Sequence, residues 1–588
     1  VSLSNREIAD IFERIADLLE IKGEIIHRVL SYRRAGEVLR DVPRDLRAIN
    51  AEGGLTDIPG IGKTLEEKIQ EILETGKLEF YEKLIQQIPP TLVDVMRVNG
   101  VGPKKAAMFW KELGVTDLAS LEIAAREGKI RDLPKMGAKS ELNIIEGIEA
   151  LNKRGDRRTP LGQAYPAAQR LLDTLSAMPQ VVKGAIGGSI RRGRPTIGDV
   201  DLLVAVNSMD DAPPIMDAFV SADTVARILG HGPTKSSVEL HIGMQVDLRI
   251  LEKERWGTAL VYFTGSKQHN IRLRERAVAR GLTLNEHDFR PIDKDGNVIE
   301  GAEPILCTTE EEVYAQVGLP WIPPEIREDT GELEAAEAAK LPNLITLDDI
   351  QSDLHMHTTW SDGHASVREM AEAALARGRK YIVITDHSKG ATIANGLTVE
   401  RLMAQHEEVR RVDAEMNGRI RVFHGTEMEI NADGSLDFPD DVLEKLDFVI
   451  ASLHVSLRQP REQITRRILN AIENPHVDLI GHPRGQLIPD RDPADLDMDA
   501  VFAAAARSGI ALEINANPMR LDLEAAAARR AVEMGIKIAI DTDAHHVEEL
   551  DLMHFGITTA RKGWVEAKSV LNTMPLDAFL AWTKGRGR

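Results

Sequence analysis

The sequence predicts a multidomain chain with an all-α N-terminal part, a mixed α/β core and a C-terminal barrel of repeated strand–helix units. Three observations predict it. Apolar residues recur at helical spacing from residue 3 to about residue 150, and the breaks are glycines. Between residues 187 and 250 the pattern changes to short apolar strands carrying paired acids. From residue 353 onward apolar strands alternate with helices and repeatedly end in His, Asp or Glu.

The 588 residues allow roughly three or four domains at about 150 residues each. A composition of 43% hydrophobic and 28% charged residues fits a folded soluble chain rather than a disordered one. The single cysteine, Cys307, excludes an internal disulfide framework and any cysteine-rich zinc cluster, so a metal must be held by His, Asp and Glu. No apolar run is long enough to cross a membrane, and the opening VSLSNREIADIFERIADLLE reads as an amphipathic helix rather than a secretion signal. The expected compartment is the reducing cytoplasm. A net charge of -20 argues against nucleic-acid binding by bulk electrostatics and leaves local basic surfaces to make backbone contacts.

In the helical part the clearest segments are 8–19, 24–39, 64–73 and 104–113. Two breaks share a pattern, Ile58-Pro59-Gly60-Ile61-Gly62-Lys63 and Val98-Asn99-Gly100-Val101-Gly102-Pro103-Lys104. In each, a glycine–hydrophobe–glycine turn leaves backbone N–H groups free at a helix start, where they can hold a phosphate oxygen beside a lysine. Leu133-Pro134-Lys135-Met136-Gly137-Ala138-Lys139 reads as a third copy with Lys135 in place of the first glycine. One such turn can be a plain helix connector; three in one short stretch favour phosphate contacts. The arrangement resembles the helix-hairpin-helix of DNA repair proteins, which implies DNA contacts at Gly60, Gly62, Lys63, Gly100, Gly102 and Lys104. Lys68, on the helix leaving the first turn, could form a Schiff base with an abasic-site aldehyde if its pKa is lowered; a solvated lysine or a simple phosphate contact is the other reading. NKRGDRRTPL at 152–161 is a basic link and a boundary.

The core centres on GGSIRRGRPTIGDVDLLVAV at 187–206. Leu202 to Val206 reads as a buried strand, and Asp199 and Asp201 at its start point to one face. Two carboxylates so close repel each other unless a cation joins them. Gly187-Gly188-Ser189 permits a tight turn, and Arg191 and Arg192 add positive charge, so the stretch fits a triphosphate with Mg2+. A polar edge strand followed by a basic loop would read similarly. A two-metal site needs a third acid, and Asp247 in Met244-Gln245-Val246-Asp247-Leu248-Arg249-Ile250 is the best candidate. Tyr262-Phe263-Thr264-Gly265-Ser266 then makes a sharp turn before a helix bearing Asn270, Arg272 and Arg274. Such groups can pack on a sugar and probe the minor-groove edge of a base pair, although a helix-entry turn has the same composition.

Residues 319–346 read as a connector with one short helix. The last part opens with Asp353-Leu354-His355-Met356-His357, where His355 and His357 share one strand face and can close on a single metal. Apolar strands then precede Asp386-His387, His424-Gly425-Thr426-Glu427, His454, His482 and Asp541-Thr542-Asp543-Ala544-His545, with helices at 367–376, 399–417 and 501–508 between them. One histidine at a strand end is usually structural. Repetition points instead to a barrel whose C-terminal rim holds Zn2+ or Mn2+ that activates water against a phosphate ester.

The core resembles the family X DNA polymerases. Their GS...RRG...GDxD pattern stands here as Gly188-Ser189, Arg191-Arg192-Gly193 and Gly198-Asp199-Val200-Asp201. The resemblance implies Asp199, Asp201 and Asp247 as catalytic ligands of Mg2+ or Mn2+. It implies Gly188, Ser189, Arg192 and Gly198 on the nucleotide's phosphates, and Tyr262, Phe263, Gly265, Asn270 and Arg274 at the nucleotide and template pair. It also covers an N-terminal lyase-type domain, with the lyase lysine falling on Lys68.

The last part resembles the PHP family, which implies a distorted seven-stranded barrel with up to three Zn2+ or Mn2+ ions. By that resemblance His355, His357, Glu427 and Asp543 hold one metal, Glu427 bridges to a second on His454 and His482, and Asp362, His387 and His545 hold the third. Arg484 is better placed for phosphate. The implied order is a lyase-like helix-hairpin-helix domain at 1–85, a second helix-hairpin-helix, fingers-like region at 86–155, a nucleotidyltransferase palm at 156–250, a thumb-like region at 251–318, a linker at 319–346 and a PHP phosphoesterase barrel at 347–588.

The expected function is DNA-templated filling of short gaps in repair, with a PHP 3'-5' exonuclease that also acts at abasic sites or 3'-phosphates. The expected partners are gapped or primer-template DNA, dNTPs and other repair proteins, for a nucleoid-associated monomer with no membrane contact. Two alternatives stay open: a PHP phosphoesterase whose polymerase half only holds DNA, and a non-enzymatic protein that bridges DNA ends.

Overall fold

A computed structural model describes residues 3, 5–42, 44–98, 100–134, 136–154 and 158–585. Asn99 and Lys135 of the expected turns, and residues 155–157 of the expected basic link, lie outside the described residues. The chain forms two compact units, Val1–Arg157 and Arg158–Arg588.

The first unit is helical. Helices Asn5–Lys22 and Ile26–Asp41 bury Phe12, Leu19, Tyr32 and Leu39 in one core with Ile69, Ile72 and Phe109. Both complete glycine turns are built alike. Gly60 and Gly100 take φ of 86° and 79°, which only glycine adopts at little cost. Ile61 N–H then donates to Ile58 O at 3.0 Å and Val101 N–H to Val98 O at 2.9 Å. Helices Lys63–Thr75 and Pro103–Leu113 follow, each with a glycine N-cap that offers no side-chain cap, and each ends on a left-handed glycine. Met136 N–H donates to Leu133 O at 3.0 Å ahead of helix Ala138–Arg154.

The second unit opens with a five-stranded mixed sheet in the order Lys183–Ile186, Asp199–Val206, Gln245–Glu252, Lys235–Leu240, Val225–His231. Asp199–Val206 is an interior strand, buried from Leu202 to Val206. It is covered by helices Leu161–Ser176 and Ala212–Val220.

Helices Trp256–Thr264, Lys267–Val278 and Glu310–Gln316 then enclose a core of Val261, Leu273, Phe289, Val313 and Tyr314. Residues 319–346, expected as a linker, are a packed part of this core. The short helix is present as Glu332–Glu337, but Ile322, Ile326 and Leu333 are buried with the cluster. Arg327 is fully buried on Glu310, at 2.8 and 3.1 Å, and on Ile322 O. The acidic, alanine-rich composition hid this, because its charges are satisfied by partners far along the chain.

Seven parallel strands follow in sequence order: Ser352–Asp353, Tyr381–Ile384, Arg421–Glu429, Phe448–Ser452, Leu479–Gly481, Ala511–Asn515 and Ile538–Asp541. A parallel bridge between Met356 and Ala544 brings the first segment back to the last, with His357 N–H donating to Ala544 O at 2.8 Å. The expected barrel is thus nearly closed, with helices such as Val367–Ala376, Val399–Met416 and Met498–Ser508 between strands. Two local expectations differ. The first strand ends at Asp353, so His355 and His357 lie on the extended segment beyond it. His424 and Glu427 sit within their strand rather than after it.

Candidate active sites

In the core sheet, parallel pairing places Asp201 directly opposite Asp247 and Asp199 opposite Gln245. Strand alternation turns Asp199 and Asp201 to one face, so three carboxylates share it. Burial, then repulsion from Asp199 and Asp247, pushes the Asp201 carboxyl up to about 6. Asp247 is compensated: Lys235 Nζ lies 2.5 Å away and Gln245 donates at 3.0 Å, which hold its pKa low despite burial. This is a site that repels its own charges, and a divalent cation would relieve them; the donor set of hard oxygens fits Mg2+ or Mn2+.

The glycine-turn side is shaped by close approach. Gly188 has φ of 60°, and a Cβ there would lie 3.2 Å from Asp201 Oδ2. Ser189 follows on the short helix Gly188–Arg191. Gly265, at φ of 70°, would place a Cβ 3.1 Å from Arg192 Nη1, which itself donates to Thr264 O at 2.5 Å. Arg191, expected to add positive charge, is instead neutralised: it forms a two-pronged pair with Glu310 at 2.7 and 2.8 Å. Tyr262 and Phe263 rings meet edge to face at 5.0 Å, and Arg249 lies over Phe263 at 4.3 Å. Asn270 donates to Tyr262 O at 2.7 Å, and Arg274 is exposed on the same helix. Sequence reasoning missed Arg158, read as part of a link. Its guanidinium would meet a Cβ on Gly198 at 3.2 Å and is near enough to Arg192, Arg194 and Asp199 to feel their charges.

At the barrel rim Glu427 is the hub. Its Oε2 lies 3.5 Å from His355 Nε2, 3.7 Å from His357 Nε2 and 2.9 Å from His387 Nδ1. Its Oε1 lies 2.8 Å from His482 Nε2 and 3.3 Å from His454 Nε2. Asp543 Oδ1 closes the first group, 3.0 Å from His357 and 3.5 Å from His355. Asp362 faces His545 at 3.4 Å and His387 at 3.7 Å. Eight of the nine residues expected here fall into three ligand groups, with His357 and His387 each facing two of them, and His482 joins the cluster through Glu427 Oε1.

The fit to metal is set by orphaned atoms. Among the described residues His355 Nε2, His357 Nδ1 and His482 Nδ1 are buried without a hydrogen-bond partner, and His387 Nδ1 and Glu427 Oε2, 2.9 Å apart, are not aligned for one. Buried polar atoms converging unsatisfied are what an ion would satisfy. The electrostatics agree. Against the cost of burial, Glu427 lifts the His454 imidazole to about 10, and Asp362 and Asp543 lift His545 to about 9. Burial drives His357 and His482 down to about 3.

The supporting carboxylates were not singled out from the sequence. Glu513 holds His355 Nδ1 at 2.7 Å and Glu429 holds His454 Nδ1 at 2.7 Å, so both rings turn Nε2 to the cluster. The sequence offers only a weak signal for them, a carboxylate within or at the end of a buried barrel strand. Glu513→Gln is expected to weaken metal binding about 10- to 100-fold, the usual effect of removing a carboxylate behind a ligating histidine. Titration of metal-depleted protein with Zn2+ checks it, and an unchanged affinity would refute it. Arg484 pairs with Glu524 at 2.5 Å rather than standing free.

In the first unit Lys63 and Lys104 are exposed beside their turns. Lys68 is half-buried, with Nζ 4.4 Å from the Phe80 ring centre, and burial with the Arg28 charge lowers its pKa.

Comparison with known proteins agrees with this architecture. Two helix-hairpin-helix patterns match residues 3–78 and, as a SAM-like tandem, 92–150. The DNA polymerase beta thumb matches residues 259–328 and the PHP domain residues 353–517. The chain is 39% identical over 583 residues to the DNA polymerase/3'-5' exonuclease PolX of Bacillus subtilis (strain 168), covering 98% of this chain and 99% of that one. A probable phosphatase of Thermoanaerobacter sp. (strain X514) is 33% identical over 234 residues, 38% of this chain and 89% of its own. DNA polymerase lambda of Arabidopsis thaliana is 25% identical over 346 residues, 55% of this chain and 62% of its own. No helix among the described residues is long and apolar enough to cross a membrane. With similarity to a bacterial PolX running the length of both chains, and with thumb and PHP patterns both present, the chain belongs to the bacterial family X DNA polymerases with a C-terminal PHP domain.

Proposed function

We propose that the chain is a DNA-directed DNA polymerase that fills short gaps in repair, and that its barrel is a 3'-5' exonuclease. The observation that carries the first half is the parallel register that sets Asp201 against Asp247, with Asp199 two residues earlier on the same face and the Gly188 turn close over Asp201. Asp199, Asp201 and Asp247 would hold Mg2+ or Mn2+, and the barrel ligands up to three Zn2+ or Mn2+ ions. Bound there, the cations supply activation of the attacking hydroxyl or water and neutralise charge on the leaving group.

The chain's own residues do the rest. Ser189, Arg192 and the backbone at Gly188 and Gly198 bind the triphosphate, with Arg158 beside them. Tyr262, Phe263, Gly265, Asn270 and Arg274 orient the nucleotide against its template partner. Gly60, Gly62, Lys63, Gly100, Gly102 and Lys104 take phosphates of gapped or primer-template DNA without reading sequence, so binding is salt-dependent. Lys68, its ammonium pKa lowered, serves as the lyase nucleophile. At the barrel, Glu513 and Glu429 orient His355 and His454 toward the ligand cluster, and abasic sites or 3'-phosphates are further substrates. The protein works as a nucleoid-associated monomer beside other repair proteins.

The test is primer extension on one-nucleotide-gapped DNA labelled on the upstream primer, with Mg2+ or Mn2+, with and without dNTPs. Asp199→Ala is expected to lose extension and keep primer shortening; His355→Ala is expected to do the reverse. Loss of both activities in a folded Asp199→Ala protein would sink the two-site reading. Shortening without extension in every condition would leave a phosphoesterase on a DNA-holding platform, and binding without either would leave an end-bridging protein.

A further inference from the structure

The turn after the phosphate arginine is pressed against the barrel's helix Met553–Lys562. Gly193 has φ of 66°, and a Cβ there would lie 2.3 Å from Thr558 Cγ2, so only a glycine lets the turn seat on that helix. The helix belongs to both halves of the unit. Met553, Ile557 and Ala560 lie in the barrel core, whereas Phe555 lies in the core of the palm sheet. A Cβ on Gly556 would come within 2.6 Å of Ile540 Cγ2 and 2.8 Å of Ala516 Cβ, which shows how tightly the helix sits on the strands that precede Asp543.

At the end of this helix three cations meet one carboxylate. Lys562 Nζ lies 2.5 Å from Glu328 Oε1, Arg192 Nε 3.2 Å from the same oxygen, and Arg194 Nη2 2.8 Å from Glu328 Oε2. The Glu328, Lys562 and Arg192 side chains are only 9%, 12% and 13% exposed, so solvent screens them weakly. Lys562 Nζ also approaches Arg192 O at 3.5 Å. Arg192 is therefore fixed by Glu328 at Nε and by Thr264 O at Nη1, which among the described residues leaves Nη2 for a ligand. A guanidinium held in this way loses little freedom when it takes a phosphate.

We propose that Lys562, contributed by the phosphoesterase barrel, is a positioning residue of the polymerase site that acts through Glu328 on Arg192. The inference rests on the reading of Arg192 as a triphosphate ligand. Lys562 holds the third side of the Glu328 carboxylate. Without it the carboxylate is shared by two arginines only, turns toward them and draws Arg192 off the phosphate. Nucleotide affinity should fall while the barrel's own reaction stays as it was.

The experiment is a double-mutant cycle on the full chain, reading KM for dNTP and kcat in single-nucleotide insertion on gapped DNA. Lys562→Met is expected to raise KM about fivefold with kcat within about twofold, with exonuclease activity on a labelled single strand unchanged. Lys562→Arg is expected to restore KM. In the Arg192→Ala background the same Lys562→Met change is expected to have no further effect. An equal rise in both backgrounds would mean that Lys562 acts through the general field or through stability, and would overturn the proposal. If Arg192→Ala alone leaves KM unchanged, the triphosphate role of Arg192 is what fails, and the linkage falls with it. Lys562→Gln, which keeps a donor without the charge, is read in the same way if the methionine variant melts below the assay temperature.

Discussion

Asp201→Asn is expected to abolish nucleotide addition, by about a thousandfold or more, and yet to make the metal-free protein more stable at neutral pH. The first effect follows because a two-metal site loses several kcal/mol of charge stabilisation with one carboxylate gone. The second follows from the Asp201 pKa, which burial and the neighbouring Asp199 and Asp247 charges raise from 3.8 to about 6. For an acid whose folded pKa is raised, the folded state binds the proton more tightly than the unfolded chain does. Stability therefore falls as pH rises from about 4 to about 6 and stays lower above that. The ionised carboxylate costs on the order of 3 kcal/mol at most at pH 7.5. Asparagine removes that cost. Thermal melts in chelator should show the variant above wild type at pH 7.5 and level with it near pH 4; a variant melting below wild type at pH 7.5 would contradict the argument. Added Mg2+ should raise the wild-type Tm and leave that of the variant nearly unmoved.

Glu427→Gln is expected to remove exonuclease activity by about a thousandfold and to lower the bound metal, while gap filling stays within about twofold. Both oxygens of Glu427 are engaged, Oε2 facing His355, His357 and His387, and Oε1 facing His454 and His482. The amide keeps the shape but offers one neutral acceptor where five imidazoles converge on a charge, so the centre loses both its bridge and its counter-charge. Metal content by elemental analysis and strand shortening on a gel check it together. Full exonuclease activity with normal metal content would refute the hub role.

Much of this was legible because the chemistry sits where sequence periodicity is strongest. Asp199 and Asp201 stand two residues apart before an apolar run, and the strand forms there with both on one face. The barrel histidines each follow or end an apolar strand, and parallel strands bring such ends to one rim. The helices read at 64–73 and 104–113 lie within helices Lys63–Thr75 and Pro103–Leu113, since glycine punctuation fixes their starts, and that read at 8–19 lies within Asn5–Lys22. What was not legible depends on partners. Arg191 reads as free positive charge until Glu310 is seen beside it, 119 residues further on. Residues 319–346 read as a linker because their burial comes from Arg327, Glu310 and Trp321 meeting in space. Glu429 and Glu513 look like any strand carboxylate until the ring nitrogens that they hold are in view.

The sequence by itself determined the order of the parts and which side chains are candidates for the chemistry, because strand and helix periods and the residue types of a metal or phosphate site are local properties of the chain. Only the tertiary structure decided how those groups share work. It set both oxygens of one glutamate among five histidines, and it joined Glu328 to Lys562 across 234 residues, where the barrel's helix meets the phosphate turn. Charges of that kind acquire their meaning from distance and desolvation, and neither quantity is written along a chain.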